Sequence, residues 1–422
     1  MSNKGASVKG DSSLSTSSTP FAISLYSGAG GFDIGVEAAG FETRVATDID
    51  YYSCASLRAN RRRGQRDGLH EFLRSAVVLE RDIKSLSTSD LLRAGRVTEG
   101  EVSLVFGGPP CQSFSVFGQR RGMDDPRGTL LQEFARLVHA LKPRAFIFEN
   151  VPGLLTIKNG QVYKRFVERL SRGGSVTYTV SSHMLEVANY GVPQFRTRLI
   201  LFGSAEGVAV SRPPATHNIP KPRANGTGTL ISINDELPLC PAAGEVLSGL
   251  PAPGKDCGIP NHIGRIHSQR IIERYRRLRF GERDPLTRIN KLDPERPSFT
   301  IIVGSDKGGG KGHVHPFEPR EVTARESARI QCFPDHWEFT GTSRHPIRQV
   351  GNAVPSLFAA KLAFHLKREV FGIDDEPSHD ELVRRLGLTY LIDKAASNGR
   401  LRTREVEGRV TAGVATDRSV AL

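Results

Sequence analysis

Residues 102–115, VSLVFGGPPCQSFS, form the stretch around which the rest of the chain is arranged. An apolar run ends in two glycines and two prolines, which predicts a buried strand that runs out into a stiff turn. Cys111 follows this turn directly, so we expect its thiol at the carboxyl end of a strand, the edge where open parallel α/β sheets bind ligands. A lone cysteine is more often a small buried apolar residue. Because a core position does not need so rigid a backbone, we predict a positioned nucleophile at Cys111.

The chain has 422 residues, enough to bury a large core and to form two domains. It carries 58 Lys and Arg residues against 45 Asp and Glu residues, a net charge of +13. This excess favours a polyanionic partner, although charge alone does not separate nucleic acid from an acidic membrane surface. Five scattered cysteines without a CxxC pair indicate neither a disulfide framework nor a zinc site, which fits a reduced, cytoplasmic setting. No apolar run is long enough to span a membrane, and we expect a monomer.

A glycine-rich turn follows the first apolar strand. The strand FAISLY, residues 21–26, is followed by SGAGGFDIG, residues 27–35, which opens a helix. This order is typical of the first unit of a nucleotide-binding α/β fold, although the turn alone would indicate only a structural loop. Asp33 stands where a dinucleotide fingerprint has its third glycine, which argues against a pyrophosphate ligand. Asp48 ends the second apolar stretch 20 residues after Gly28, a spacing at which a carboxylate can accept hydrogen bonds from ribose hydroxyls.

A second carboxylate follows a later apolar strand. In AFIFENV, residues 145–151, Glu149 ends the strand and is expected at the same sheet edge as Cys111. A Glu in this position is more often a solvated acid than a catalyst, but its place one βαβ unit after the Cys111 turn favours catalysis. Between the two, apolar residues at helical spacing predict a helix beginning near Leu130 that ends before Pro143.

A basic strand is predicted within QFRTRLILFG, residues 194–203. If the strand begins near Gln194, its side chains alternate, and Gln194, Arg196 and Arg198 share one face. A basic edge strand is the plain interpretation. Three long polar side chains on one face beside an apolar run favour a ligand there.

In this order, from about residue 21 to 358, the segments resemble the motif series of the cytosine-5 DNA methyltransferases of the prokaryotic type. Three further segments fit the same series: RDI at 81–83, REVTARESARIQCFP at 320–334 and QVGNAVP at 349–355. The resemblance implies an α/β fold, with a Rossmann-like methyltransferase sheet dependent on S-adenosylmethionine. It also implies a second, smaller, mostly irregular or β domain that recognises the DNA target.

The resemblance also implies a cofactor site for S-adenosylmethionine. Tyr26 holds the place of the aromatic residue that packs on the cofactor in this family. Asp48 would accept hydrogen bonds from the ribose, and Ile49 replaces an aromatic residue, so that packing on the adenine would be aliphatic. Asp82 would accept from the adenine amino group while Ile83 packs on the ring. The full implied cofactor site comprises Tyr26, Gly28, Ala29, Gly31, Asp48, Ile49, Asp82, Ile83, Pro110, Leu130, Asn352 and Val354.

The chemistry implied by the resemblance explains the residue types. A thiolate from Cys111 adds to carbon 6 of cytosine and makes carbon 5 nucleophilic enough to take a methyl group. Glu149 neutralises nitrogen 3 as an acid. Arg198, with Arg196, holds the base oxygen and orients Glu149. Because a base inside a duplex cannot reach such a pocket, it must be flipped out.

The chain divides into four expected parts. Residues 1–20, rich in Ser and Thr, form a disordered tail. Residues 21–203 plus 346–374 form the catalytic and cofactor-binding domain. Residues 204–345 form the target-recognition domain, and residues 375–422 form a C-terminal extension with a short amphipathic helix and a basic tail.

Charge patterning distinguishes two regions. Residues 265–291 contain nine basic and three acidic residues, which favours phosphate contacts within the recognition region, although a charge run is usually a solvated face. The arginine-rich residues 58–81 are interpreted as a surface insertion. His313 and His315 are too few to make a metal site, and no metal is expected.

Three alternatives stay open at this point. An RNA cytosine-5 methyltransferase would share the fold, but the large region 204–318 favours double-stranded DNA. A nicotinamide oxidoreductase would share the glycine turn but leaves Cys111 and Glu149 unexplained. A catalytically dead relative would have lost one of those two residues. The predicted setting is a restriction–modification system in which a cognate endonuclease acts independently.

Overall fold

The structure, a computed structural model, describes residues 19–68, 70–110, 128–220, 236–303, 310–342 and 344–392. Its main feature is a seven-stranded sheet with helices on both faces. The elements of this part are β1 Phe21–Leu25, α1 Gly31–Ala38, β2 Glu42–Asp48, α2 Tyr51–Asp67, β3 Val77–Glu80, α3 Thr88–Gly95, β4 Val102–Gly107, α4 Gly128–Leu141, β5 Ala145–Asn150, α5 Gln161–Arg172, β6 Thr179–Glu186 and β7 Thr197–Ser204.

The strand order is β3-β2-β1-β4-β5-β7-β6, which confirms the predicted Rossmann-like sheet. Strands β1 to β5 are parallel, and β7 runs antiparallel between β5 and β6. The order reverses between β1 and β4, the switch point where ligands bind in such sheets. Because Leu25 pairs with Gly107, and Gly107 with Phe148, the carboxyl ends of β1, β4 and β5 meet at one edge.

Two apolar layers enclose the sheet. On one face, Phe32, Phe106 and Phe202 pack in a core that continues into the last helices of the chain. On the other face, Phe134 and Phe146 pack between the sheet and helices α3 to α5. Helix α4 extends from residue 128 to 141, so the helix predicted between Leu130 and Pro143 is confirmed.

The rest of the described chain has little regular structure before residue 320. Its elements are α6 Ala243–Leu247, α7 Gln269–Arg277, β8 Ile302–Val303, β9 Gly310–Lys311, α8 Ala324–Ile330, α9 Arg344–Asn352, α10 Ser356–Phe371 and α11 His379–Arg385. A small separate core of Tyr275, Leu278, Ile289 and Val314 supports α7. The short elements agree with the prediction of a mostly irregular second domain. Of the helices described, none has the length and apolar character needed to cross a bilayer.

Two expectations about local structure are wrong. Residues 58–81 are not an insertion, because residues 58–67 complete α2, where Asn60 and Gly64 are buried, and β3 pairs with β2 inside the sheet. The basic strand begins at Thr197 rather than near Gln194. The predicted amphipathic helix of the C-terminal extension is present as α11. Residues 1–18 of the predicted tail 1–20, and residues 393–422 of the predicted extension 375–422, lie outside the described residues.

Candidate active site

The glycine turn is organised by Asp48. Its two carboxylate oxygens accept from the backbone N–H groups of Gly28 and Asp50, each at 2.8 Å. Gly28 has φ +55°, a conformation that favours glycine, and no described atom lies within 4 Å of the place a Cβ would take. Burial raises the pKa of Asp48, while the backbone hydrogen bonds oppose that shift. The turn therefore has open space at Gly28, and the Asp48 carboxylate next to it is fixed in place by two backbone hydrogen bonds.

Polar and apolar groups alternate along the neighbouring strand ends. Ile49 follows β2 and is 67% exposed, an unusual position for a large apolar side chain that has no ligand. Asp82 follows β3, is exposed and accepts from the N–H of Lys84 at 3.0 Å. Ile83, in contrast, is buried in the core beneath. An exposed apolar surface between two carboxylates fits an adenosine group, whose ring needs packing and whose ribose and amino groups need acceptors.

Tyr26 connects the first strand to α4. It has φ +56°, and its hydroxyl donates to the carbonyl of Leu130 at 2.8 Å. Burial raises the pKa of Tyr26, and the nearby carboxylates of Glu133 and Asp82 add to the rise. The phenol therefore stays neutral and serves as a donor that fixes the start of α4 beside the glycine turn.

The turn after β4 is pressed against Glu149. A Cβ on Gly107 would lie 2.1 Å from the carbonyl oxygen of Leu25, and one on Gly108 would lie 2.7 Å from Oε2 of Glu149. Side-chain Nδ2 of Asn150 donates to the carbonyl of Pro109 at 3.1 Å. Both glycines are therefore required by close approach rather than by flexibility. Pro110 is the last residue described before the gap, and Cys111 lies outside the described residues.

Glu149 forms an ion pair with Arg198. In the antiparallel register, Glu149 lies opposite Ile200, so Arg198, two residues from Ile200 in β7, projects on the same face as Glu149. The distance between Nε of Arg198 and Oε1 of Glu149 is 2.7 Å, and both side chains are nearly buried, with 11% and 12% exposed. This pairing brings the predicted acid and the predicted base-holding arginine together.

Arg196 has different hydrogen-bond partners from Arg198, and because residues 194–196 precede β7, the strand alternation used to predict one shared face does not extend to Gln194 and Arg196. Its guanidinium is buried and donates to the carbonyls of Gly351 at 3.0 Å and Ala353 at 3.3 Å. Burial lowers the pKa of Arg196, and the charge of Arg198 adds to that effect. The side chain of Gln194 is also buried, and it lies before the strand begins.

The segment before α10 closes the site from the other side. A Cβ on Gly31 would lie 2.3 Å from the carbonyl oxygen of Val354, so the two motifs at opposite ends of the chain are in contact. Asn352 is exposed beside them. Trp337, which the sequence analysis missed, donates from Nε1 to the carbonyl of Ala29 at 3.0 Å. Its signal in the sequence is that it is the one tryptophan of the chain.

Comparisons with known proteins agree with this geometry. A family model described as C-5 cytosine-specific DNA methylase matches residues 21–368. The chain is similar to the Type II methyltransferase M.NgoFVII of Neisseria gonorrhoeae, with 32% identity over 83% of this chain and 87% of that protein. It is 30% identical to the Type II methyltransferase M.XorII of Xanthomonas oryzae pv. oryzae over 85% of this chain and 87% of that protein. A crystal structure of an E. coli prophage protein assigned as a DNA modification methyltransferase has a TM-score of 0.62 and 25% identity, and covers 83% of this chain and 99% of that one.

The matched residues include the whole motif series, from the glycine turn to the contact between Gly31 and Val354. This confirms the prediction of a methyltransferase that depends on S-adenosylmethionine and has DNA as its substrate, and it does not favour the RNA alternative. The chain therefore belongs to the C-5 cytosine-specific DNA methylase family.

Proposed function

We propose that the protein methylates carbon 5 of a flipped-out cytosine within a specific double-stranded DNA sequence. The observation that supports this most directly is the ion pair of Glu149 and Arg198, set against the rigid turn that leads to Cys111. A general acid, an arginine and the approach to a thiol lie at one sheet edge, beside a turn suited to an adenosine group.

In this proposal each polar group has one role. The Cys111 thiolate adds to carbon 6 of the cytosine, and Glu149 gives a proton to nitrogen 3, so that the ring can accept the electrons. Arg198 holds Glu149 in place and donates to the base oxygen. Carbon 5 then acts as the nucleophile for the methyl group, and loss of its proton releases the thiolate.

S-adenosylmethionine, when bound, supplies an electrophilic methyl group. The residues proposed to hold it are those around the glycine turn. Asp48 would accept from the ribose and Asp82 from the adenine amino group, while Ile49 covers the ring. Tyr26, Pro110, Leu130 and Asn352 would complete the walls. Gly28, Ala29 and Gly31 let the backbone approach, and Ile83 and Val354 support the walls from below.

Recognition of the DNA sequence is proposed for residues 204–345, with α7 as a principal element. Several arginines of this region are held by acids, among them Arg265 by Glu321 and Arg274 by Asp284, at 2.8 and 2.7 Å. Three others on α7 are exposed with no acidic partner among the described residues: Arg270, Arg276 and Arg277. Ile266 beside them is fully exposed. Exposed arginines next to an apolar side chain match what guanines, phosphates and thymine methyl groups offer in the major groove.

The biological setting proposed is a restriction–modification system in the cytoplasm, with the protein acting as a monomer and its cognate endonuclease acting independently. The Type II names of the relatives support this setting. Mapping methylated positions on treated plasmid DNA would identify the protected site. A nuclease of the same specificity would then be sought by digestion of unmethylated plasmid.

The experiment that tests the function is transfer of label from tritiated S-adenosylmethionine to DNA, to RNA or to neither. The wild-type protein should label DNA alone. Cys111→Ser should bind DNA and cofactor but transfer no label, because a hydroxyl is far less ionised than a thiol near neutral pH. Labelling of RNA, or full activity of Cys111→Ser, would contradict the proposal.

A further inference from the structure

The last turn of α9 together with the residue after it, residues 350–353, is held by two side chains from distant parts of the chain. We infer that Arg196 and Gln331 are positioning residues for this turn, and that Arg196 does not contact the cytosine. The inference rests on the proposed function, because it assumes that the turn forms part of the cofactor site. It changes the role of one residue for which the sequence predicted contact with the base.

Four donor contacts carry the inference. The two terminal nitrogens of Arg196 donate to the carbonyls of Gly351 and Ala353 at 3.0 and 3.3 Å. Nε2 of Gln331 donates to the carbonyls of Val350 and Ala353 at 2.9 and 3.4 Å. Ala353 therefore receives a donor from each side chain. Both side chains are buried, with 4% of Arg196 and 0% of Gln331 exposed.

Both terminal nitrogens of Arg196 already donate to these carbonyls, and with the residue only 4% exposed their remaining N–H groups have little access to a base. Its Nε has no partner among the described residues, but it is buried with the rest of the group. Burying a guanidinium without a carboxylate in direct contact costs free energy, which the carbonyls of the turn and the nearby charges of Glu149 and Glu186 offset. The planar fork of arginine can reach two carbonyls at once, which the single ammonium of lysine cannot do in the same way.

The held turn faces the cofactor side of the site. The residue after it, Val354, presses its carbonyl on Gly31, where a Cβ would lie 2.3 Å away. On the other side, a Cβ on Gly351 would lie 2.5 Å from a methyl group of Val303. The turn is thus packed between the glycine turn and the second domain. Loosening it should move the wall of the cofactor site while leaving Glu149 and Arg198 in place.

The test compares Arg196→Lys and Gln331→Met with Arg198→Lys. Calorimetry would measure the Kd for S-adenosylmethionine, and steady-state assays would separate KM from kcat. We expect Arg196→Lys to raise Kd and KM by roughly 10- to 100-fold, the worth of one or two charge-assisted hydrogen bonds, with a smaller change in kcat. Gln331→Met should raise both by roughly tenfold or less. Arg198→Lys should lower kcat and leave Kd unchanged.

Two matched control variants use exposed residues of α5: Arg172→Lys and Gln161→Met should behave as wild type. Thermal unfolding of every variant would show that binding is measured on folded protein. If Arg196→Lys does not fold, the Kd of Gln331→Met alone tests the inference. This variant removes only the Nε2 donor, because Oε1 of Gln331 has no partner among the described residues.

Wild-type Kd in both Arg196→Lys and Gln331→Met, with kcat reduced in Arg196→Lys, would overturn the inference and return Arg196 to the base. Failure of the proposed function would look different. In that case the wild-type protein itself would bind no S-adenosylmethionine, or would transfer no methyl group to DNA.

Discussion

At the scale of single residues, the ion pair of Glu149 and Arg198 supports the catalytic role proposed for Glu149 over that of a solvated acid at a strand end. The contact is 2.7 Å between nearly buried side chains. A comparable surface pair, Arg144 and Glu206 at 3.1 Å, has both side chains about half exposed. Surface pairs contribute little to stability and impose little geometry. The buried pair instead fixes one carboxylate beside the turn that leads to Cys111, the proposed nucleophile.

Glu149→Gln should lower methyl transfer by roughly two to four orders of magnitude, because the amide keeps the shape but cannot give up a proton as the acid does. The measurement is single-turnover transfer of tritiated methyl groups, with cofactor affinity from calorimetry, which should hardly change. Glu206→Gln is the matched control and should transfer normally. Loss of cofactor binding with normal turnover of bound cofactor would assign Glu149 to the cofactor site instead.

Asp33, in the helix that follows the glycine turn, should make the free energy of unfolding depend on pH. The carboxyl is fully buried in α1, and burial raises the pKa of Asp33 from 3.8 to about 7, although the Ser24 hydroxyl acts to lower it. Between these two values the folded state holds a proton that the unfolded state has released. This contribution to the free energy of unfolding is therefore complete below about pH 4 and is lost as pH rises to about 7.

Asp33→Asn should remove this dependence. From pH 4 to pH 8, the free energy of unfolding of the wild type should fall relative to the variant by about 4 kcal/mol, an order-of-magnitude value from the size of the shift. The measurement is urea unfolding at several pH values. The pKa of Glu37 is raised in the same direction, to about 8, mainly by burial and in part by the charge of Asp33, so the difference between the two proteins contains the loss of Asp33 and the accompanying change at Glu37. Parallel pH curves for the two proteins would contradict the assignment.

At the scale of elements, the crossing of α1 and α10 brings the two ends of the motif series together. It depends on the absence of a side chain at Gly35, where a Cβ would lie 2.5 Å from Cβ of Ala359, from the N of Ala360 and from the carbonyl oxygen of Ser356. The helix axes can approach closely because these residues are small. Both motifs would separate if the approach were lost.

Gly35→Ala should lower the free energy of unfolding by about 1–3 kcal/mol, since overpacking at the crossing exceeds the gain in helix propensity. The measurement is urea unfolding monitored by circular dichroism. Gly254→Ala is the control, because no described atom lies within 4 Å of its Cβ position and its φ is not positive. An equal effect at both positions would show that backbone freedom, rather than the crossing, determines the result.

The arginines of α7 should have two different effects on substitution, because one is held by an acid and three are exposed. Removing an exposed arginine, by Arg270→Ala, Arg276→Ala or Arg277→Ala, should lower the salt slope of DNA binding by about one if it contacts a phosphate. If it contacts a base, the change should cost about 1–3 kcal/mol at one position of the site. Arg274→Ala, which frees Asp284, should instead lower the free energy of unfolding. Binding at two salt concentrations and sequencing of methylated sites would measure these effects. No effect at all three exposed positions would make α7 a solvated face.

At the scale of the whole molecule, the C-terminal extension lies beyond residues 21–368, which the family model matches. It contacts both α1 and the segment around the end of α8. Arg385 donates to the carbonyl of Ala38 at the end of α1, at 2.9 Å. The Tyr390 hydroxyl donates to the carbonyls of Arg329 and Phe333, at 3.2 and 3.0 Å. Leu382 and Leu386 are buried in the main core. The described part of the extension therefore connects α1 to the segment after α8.

Tyr390→Phe should lower the free energy of unfolding by about 1 kcal/mol, because two carbonyls lose their donor while the ring keeps its contact with Arg329. Tyr163→Phe is the control, since the hydroxyl of Tyr163 bonds the exposed Ser182 and its loss should be within about 0.5 kcal/mol. Thermal and urea unfolding would measure both. Equal stability of Tyr390→Phe and wild type would mean that the apolar residues alone hold the extension.

The sequence by itself determined the features that depend on neighbours along the chain. Apolar runs that end in Gly, Pro, Asp or Glu were enough to predict the strands that end at Gly107 and Asp48 and the strand that ends at Asn150, one residue after Glu149. Helical spacing was enough to predict α4, since periodicity is a local property. The order of these segments identified the family and its cofactor. The net charge favoured a polyanionic partner, but it did not indicate which arginines would contact that partner.

Only the tertiary structure decided which side chains meet. Arg198 faces Glu149 because of the register between β5 and β7, which the sequence of neither strand specifies. Arg196 joins a carbonyl 155 residues away, and Trp337 supports the glycine turn from 308 residues away. Because β7 begins at Thr197, the alternation argument does not apply to Gln194 and Arg196, which lie before the strand. Contacts of this kind depend on how the layers pack, and packing is a property of the whole chain rather than of any segment.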